Sequence, residues 1–178
     1  MFTPQLSEVS ASICNYLETE AAVGRHIAYS KLFMSDIKNQ YGELETSPIF
    51  TDVLSRAAYS IVGQPPLNGC KIAVLVKTSD VRESFKFHCL RLCEDEAYGH
   101  DSYTQTLQLF KKYIDYLGSN GLNMSTHLVR TWIYISGIDM NYSGVVKARN
   151  DIFRQYGLTA DTHFIASTGI GGDSQSRH

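Results

Sequence analysis

The residues best suited to chemistry stand at alternate positions of one stretch, LVRTWIYI: the guanidinium of Arg130, the indole of Trp132 and the phenol of Tyr134. Alternate residues of a strand share a face, so the three project together with Leu128. Val129, Thr131, Ile133 and Ile135 point the other way, as a β-branched set that seeks a core. The Arg130 face is too rich in hydrogen-bonding groups for plain core and too aromatic for idle surface. A ligand, another subunit or another part of a longer chain is therefore predicted to cover it. A carboxylate ligand would need forked arginine contacts, which Arg130 with Arg149 could offer, while Trp132 could stack on a flat ring and Tyr134 could donate a hydrogen bond. Protonating a leaving group also needs a positioned acid. The nearest candidates, Asp139 and Asp151, fall in a turn and on a helix surface. Neither a nucleophile motif nor paired His or Lys beside a basic cleft is found.

The elements that must position these groups follow from periodicity. The strand Leu128–Ile135 ends at a turn punctuated by Gly137 and Asn141. A helix over Tyr142–Tyr156 comes next, closed by Gly157, with Val145, Ile152 and Tyr156 on one stripe widened by Val146 and Phe153. Arg149 falls inside that stripe, so it must find an ion-pair partner or reach a polar pocket at the helix edge. A short strand is predicted over Thr162–Thr168, then a flexible, close-approach segment Gly169–Gly172 that lacks a dinucleotide fingerprint. Upstream, Asp101 or Ser102 caps a helix over Tyr103–Leu117. Its stripe is Tyr103, Leu107, Phe110, Ile114 and Leu117, Lys111 and Lys112 are exposed, and Gly118–Gly121 ends it. Phe85–Cys93 alternates as a strand, which would put Cys89 and Cys93 on one face. Glu94-Asp95-Glu96 reads as an exposed acidic loop.

In the first part of the chain, Ile13, Tyr16 and Leu17 read either as one helical turn of an apolar stripe or, the preferred reading, as part of a strand over Ser12–Leu17, and a strand is predicted over His26–Met34. Ser35-Asp36 caps a helical turn over Ile37–Tyr41. Gly42–Pro48 is a loop and Ile49–Leu54 a short helix or connection. Ala57–Gly63 and Lys71–Thr78 read as antiparallel strands joined by the rigid turn QPPLNG, with Ile72, Val74 and Val76 on one face. Ser79–Glu83 is a polar turn. The later elements run strand, helix, strand, helix, strand. Two helices with one apolar stripe each then cover one face of a mixed sheet, an α+β fold.

Composition sets the outer bounds. The chain has 178 residues, is 43% hydrophobic and 19% charged, and carries a net charge of −2 with a pI near 6.3. It can bury a sizeable core, and its lack of a basic run argues against nucleic acid as a partner. The first residues have no basic and apolar leader pattern, and no apolar run approaches a membrane span. Cys14, Cys70, Cys89 and Cys93 fit reduced thiols of a cytoplasmic protein and lack metal-site spacing, so neither a metal nor a cofactor is predicted.

Residues 86–172 resemble the Rid superfamily, also described as YjgF-like or endoribonuclease L-PSP-like proteins, and within it the chorismatase-like, pteridine-dependent-deoxygenase-like branch. VRTWIYISGID (129–139), ARNDIFRQYG (148–157) and ASTGIGG (166–172) carry the likeness. SKLFMSDIKNQ (30–40) and GQPPLNGCKIAVLV (63–76) are similar to the amino-terminal part of those larger proteins. The resemblance implies a chorismate-mutase-like fold, a sheet packed on two helices with extra amino-terminal strands. It divides the chain into a strand-rich segment 1–84 packed with the next, a Rid-like core 85–172 and a polar tail 173–178. It further implies a piece of a longer two-domain protein. Its partners would be a second Rid-like domain or further copies of the chain, such as a trimer, with a small carboxylate such as chorismate as the possible ligand. The ligand or interface set would be Arg130, Trp132, Tyr134, Arg149, Thr168 and Gly169. Small Rid deaminases hold their substrate carboxylate with an arginine on the strand after the second helix. The matching stretch here, FIASTG (164–169), has none, which speaks against imine deamination and for a supporting or interface domain of a chorismatase-like protein; the alternative that the resemblance implies is a small-molecule enzyme acting on chorismate or a related carboxylate, as a chorismatase-like lyase or hydrolase in a longer form.

Overall fold

The computed structural model describes residues 1–80 and 85–174. The chain forms two compact units, one from Met1–Cys89 with the return at Asp173, the other from Leu90–Gly172. The class is α+β, with helices and strands in both units.

The first unit opens with a long helix, α1 (Phe2–Ala22), where a strand over Ser12–Leu17 was predicted. Leu6 and Ile13 are buried, and Phe2, Val9 and Leu17 pack beside them, a spacing that repeats once per helical turn. The polar residues that obscured this stripe are satisfied within the helix. Ser7, Ser10, Ser12 and Thr19 each donate a side-chain hydrogen bond to the carbonyl four residues back. Strand β1 (His26–Met34) follows the predicted bounds and buries Leu32 and Met34 completely. Helix α2 (Ile37–Glu45) starts from the Asp36 cap, whose carboxylate accepts from the Asn39 N–H, and runs on into the predicted loop. Two helical turns, Ile49–Val53 and Leu54–Arg56, lead to β2 (Ala58–Gly63).

Strands β2 and β3 (Ile72–Ser79) do not form the predicted hairpin. The order is β2-β1-β3, with β1 parallel to β2 and antiparallel to β3. QPPLNG is therefore part of a connection that carries the chain past β1. A strand that is apolar on both faces belongs in the middle of a sheet, and β1 is that strand. Ile72 is buried, and Val74 and Val76 pack on the same core, as the alternation required.

Residues 85–93 are irregular rather than a strand. Their alternation reflects docking: the Phe87 ring stacks on Tyr29 at 5.0 Å and 11°, and Cys89 Sγ lies 3.6 Å from Ser60 Oγ. Most of the predicted turn at Ser79–Glu83, and the tail from residue 175, lie outside the described residues.

In the second unit the acidic run is the short helix α3 (Glu94–Ala97), not a loop. Helix α4 (Ser102–Ser119) is capped by Asp101, which accepts from the Thr104 N–H. After the turn α5 (Met124–His127) come β4 (Arg130–Ile135), α6 (Ile138–Gln155) and β5 (Ala166–Gly171). The strand predicted from Thr162 starts later, and Gly169–Gly171 belong to it instead of forming a flexible segment. Strands β4 and β5 are parallel and α6 connects them, the usual solution for parallel neighbours. The two strands are a sheet of their own rather than part of one larger mixed sheet. Helices α4 and α6 lie against each other, with the Phe110 and Phe153 rings edge to face at 5.8 Å. Leu117, Met124, Leu128, Leu158 and Ile165 complete that core.

Candidate functional site

The β4–β5 pair sets the geometry of the predicted site. Arg130 lies opposite Ala166, Trp132 opposite Thr168, and Ile133 opposite Gly169. Directly paired residues share a face, so Arg130, Trp132, Tyr134, Ala166, Thr168 and Ile170 lie on one side. Helix α6 covers the other. A Cβ added at Gly169 would stand 2.9 Å from the Tyr142 ring and 3.3 Å from Ile135 Cδ1. Gly169 therefore lets α6 approach the sheet and takes no part in the Arg130 face, contrary to the expectation.

The rest of that face forms as the alternation required. The Arg130 guanidinium lies 4.6 Å from the Trp132 ring centroid, a cation–π contact that orients both groups. Trp132 is 37% exposed, Arg130 is exposed, and Tyr134 and Thr168 are half-buried. Among the described residues, Arg130 has no carboxylate partner. Two apolar residues near the strand starts are exposed, and one of them, Val129, was assigned to the core-facing set. Val129 precedes β4 and is 56% exposed, and Phe164, two residues before Ala166, is 77% exposed. Leu128, assigned to the Arg130 face, is buried in the α4–α6 core, because the strand begins only at Arg130.

Arg149 is not brought to Arg130. It sits on α6, where its Nη2 and Nε donate to Asn150 Oδ1 at 2.9 and 3.3 Å and its guanidinium lies 5.9 Å from the Phe153 ring. Among the described residues its charge is met by an amide and a ring rather than by an ion pair. Arg130 and Arg149 therefore do not form a clamp, since α6, which carries Arg149, covers the side of the sheet opposite Arg130. Both candidate acids are on α6 as well. Asp139 is exposed in its first turn. Asp151 accepts from Tyr103 Oη at 3.1 Å and pairs with Arg154 at 3.4 Å. The hydrogen bond to Asp151 pushes the Tyr103 phenol pKa up.

A second polar cluster joins α3 to α4. Lys112 Nζ lies 2.6 Å from Glu96 Oε2, which also accepts from the Cys93 N–H at 2.8 Å. The Lys112 bond, then the Cys93 N–H and thiol, hold the Glu96 carboxyl down at about 2. The signal in the sequence was Glu96 three residues after Cys93, the spacing of a capping box with a thiol in the cap position. Along α6 an open depression of about 510 Å³ is lined by Tyr142, Ser143, Val146, Lys147, Asn150 and neighbouring residues of that helix. Among the described residues, no group of three or more His, Cys, Asp or Glu could share a metal ion, and no helix is long and apolar enough to cross a membrane. No protein-family model, curated protein or solved structure matches the chain.

Proposed function

We propose that the chain is a Rid/YjgF-like domain with an interface role, and that its Arg130–Trp132 face packs against another Rid-like domain, supplied in solution by a second copy of the chain. The observation that carries this reading is the oriented Arg130–Trp132 pair on the side of the sheet away from α6, with Val129 exposed just before β4 and Phe164 exposed two residues before Ala166. Aromatic residues and arginine dominate the energetics of protein interfaces. The separation of Arg130 from Arg149, Asp139 and Asp151 supports an interface over a catalytic centre. Light scattering across a concentration series tests it. Wild type should self-associate, and Trp132→Ala should weaken that association by about 2 kcal/mol, roughly thirtyfold, with unchanged circular dichroism. A wild-type chain that stays monomeric at the highest soluble concentration would overturn the proposal.

One observation favours a second reading, a small planar carboxylate such as chorismate bound at the same face. The Arg130 guanidinium lacks an acidic partner among the described residues and is already aligned over an indole. Trp132 is the only tryptophan, so its fluorescence reports occupancy directly. Saturable quenching by chorismate that Arg130→Ala abolishes would establish this reading. A flat titration would exclude it.

A further inference from the structure

Two asparagines of this chain precede a glycine, at Asn68-Gly69 and at Asn120-Gly121. The pairs are alike in several respects. Both asparagines are exposed, both glycines have positive φ (+78° and +68°), and a Cβ on either glycine would meet nothing within 4 Å. Their side chains, however, are held in opposite directions. Asn68 Oδ1 accepts from the Cys70 N–H at 3.2 Å, so the amide reaches forward across the Asn68–Gly69 peptide. Asn120 Nδ2 donates to the Tyr116 carbonyl at 2.8 Å, so its amide reaches back along α4.

From this difference we propose that Asn68 is a site of spontaneous deamidation in the folded protein, whereas Asn120 is protected by the fold. The Gly69 nitrogen, after losing its proton to solvent base, attacks Cγ of Asn68. A C–N bond closes a five-membered imide and charge develops on Oδ1, toward which the Cys70 N–H already points. The bond from Cγ to Nδ2 breaks, and that nitrogen takes a proton from solvent and leaves as ammonia. Water then opens the imide at either carbonyl, to aspartate or to isoaspartate. Water enters, ammonia leaves, and nothing is oxidised or reduced. The cost to the fold is small, because the Gly69 N–H gives up only a bond to the Pro66 carbonyl at 3.2 Å, the long end of the range.

At Asn120 the same step meets two obstacles. The leaving amide is tied to the Tyr116 carbonyl, back along α4. The Gly121 N–H also donates to the Gly118 carbonyl at 3.1 Å, beside the 2.8 Å bond from Leu122 N to the Leu117 carbonyl. Closing the imide there requires the end of α4 to open first. The products at position 68 differ in consequence. An aspartate keeps an oxygen for the Cys70 N–H and so keeps the turn. An isoaspartate adds a main-chain methylene and loses it. Either product places a new negative charge on the β2–β3 connection.

The test incubates the full chain at neutral and mildly alkaline pH, folded and in denaturant. Peptide mapping by mass spectrometry, with enzymatic methylation to detect isoaspartate, then follows both sites. In the folded chain, Asn68 should convert faster than Asn120 by about tenfold or more. The rate should rise with pH, and Asn68→Gln should remove the ammonia released by the folded chain. In denaturant the two sites should convert at similar rates. Equal conversion in the folded chain, faster conversion of Asn120, or an Asn68 that stays intact when folded yet reacts when denatured would each overturn the proposal.

Discussion

Replacing Gly144 by alanine should weaken the second unit, although the same change at most helical glycines strengthens a protein. Gly144 lies inside α6 where that helix crosses the start of α4. A Cβ there would stand 3.0 Å from the Tyr103 backbone nitrogen and would collide with Ser102 Oγ. The hydroxyl could rotate, but the backbone nitrogen cannot move without shifting the helix. Two terms compete: alanine gains about 1 kcal/mol of helix propensity, and overpacking of a close contact costs about 1–3 kcal/mol. Gly118 isolates the second term. It also lies inside a helix of the same unit, and a Cβ there would meet nothing within 4 Å. Gly118→Ala should therefore stabilise by up to about 1 kcal/mol, and Gly144→Ala should be about 1–3 kcal/mol less stable than Gly118→Ala. Urea unfolding followed by Trp132 fluorescence reads the second unit, because Trp132 is the only tryptophan. For a domain of this size, each kcal/mol also moves a thermal midpoint by about 4–8 °C. If Gly144→Ala proved as stabilising as Gly118→Ala, the close approach of α4 and α6 would be refuted.

Three further outcomes follow from the structure. Leu32→Ala should destabilise the first unit by about 2–5 kcal/mol, because Leu32 is fully buried at the centre of that core, and proteolysis of α1 and β1 under mild urea would read it. Glu96 should confer pH dependence: its folded pKa of about 2 lies below the ordinary 4.5, so its stabilising effect is complete above that value and is lost as pH falls from 4.5 toward 2. Lys112→Met should raise that pKa toward the ordinary value in a carboxyl titration by nuclear magnetic resonance, and an unmoved titration would remove Lys112 as the main cause. Phe153→Ala should cost the second unit about 3–5 kcal/mol through loss of the edge-to-face contact with Phe110, again by Trp132 fluorescence.

Much of the local structure was legible because its cause is local. Asp36 and Asp101 cap the helices that follow them, Gly121 and Gly157 have the left-handed conformation that ends a helix, and β1 spans the predicted residues. Errors arose where one pattern has two physical origins. The alternation of Phe85–Cys93 comes from Phe87 and Cys89 docking on Tyr29 and Ser60, without any strand partner among the described residues. Helix α1 was concealed by serines and threonines, which disfavour helices in general but here return their hydrogen bonds to the preceding turn. The order of β1, β2 and β3 depends on contacts far apart in sequence, and a turn such as QPPLNG does not say whether its flanking strands are neighbours.

The candidate site divides along the same line, and simple parity accounts for its errors. Alternation within β4 placed Arg130, Trp132 and Tyr134 together, and that part needed nothing beyond the strand itself. Thr168 and Gly169 are consecutive in β5, so they cannot both belong to one face. Pairing of Thr168 with Trp132 decides that Gly169 turns toward α6. The same reasoning separates the arginines. Arg149 lies within the apolar stripe of α6, and an apolar stripe packs against the covered side of a sheet, whereas Arg130 was read on the open side. Two guanidinia on opposite sides of a sheet cannot grip one carboxylate. A carboxylate held at Arg130 takes nothing from Arg149 and must take its second donor from the same face or from whatever packs against it. The interface and ligand readings of this surface thus require the same thing, a partner group that α6 does not supply.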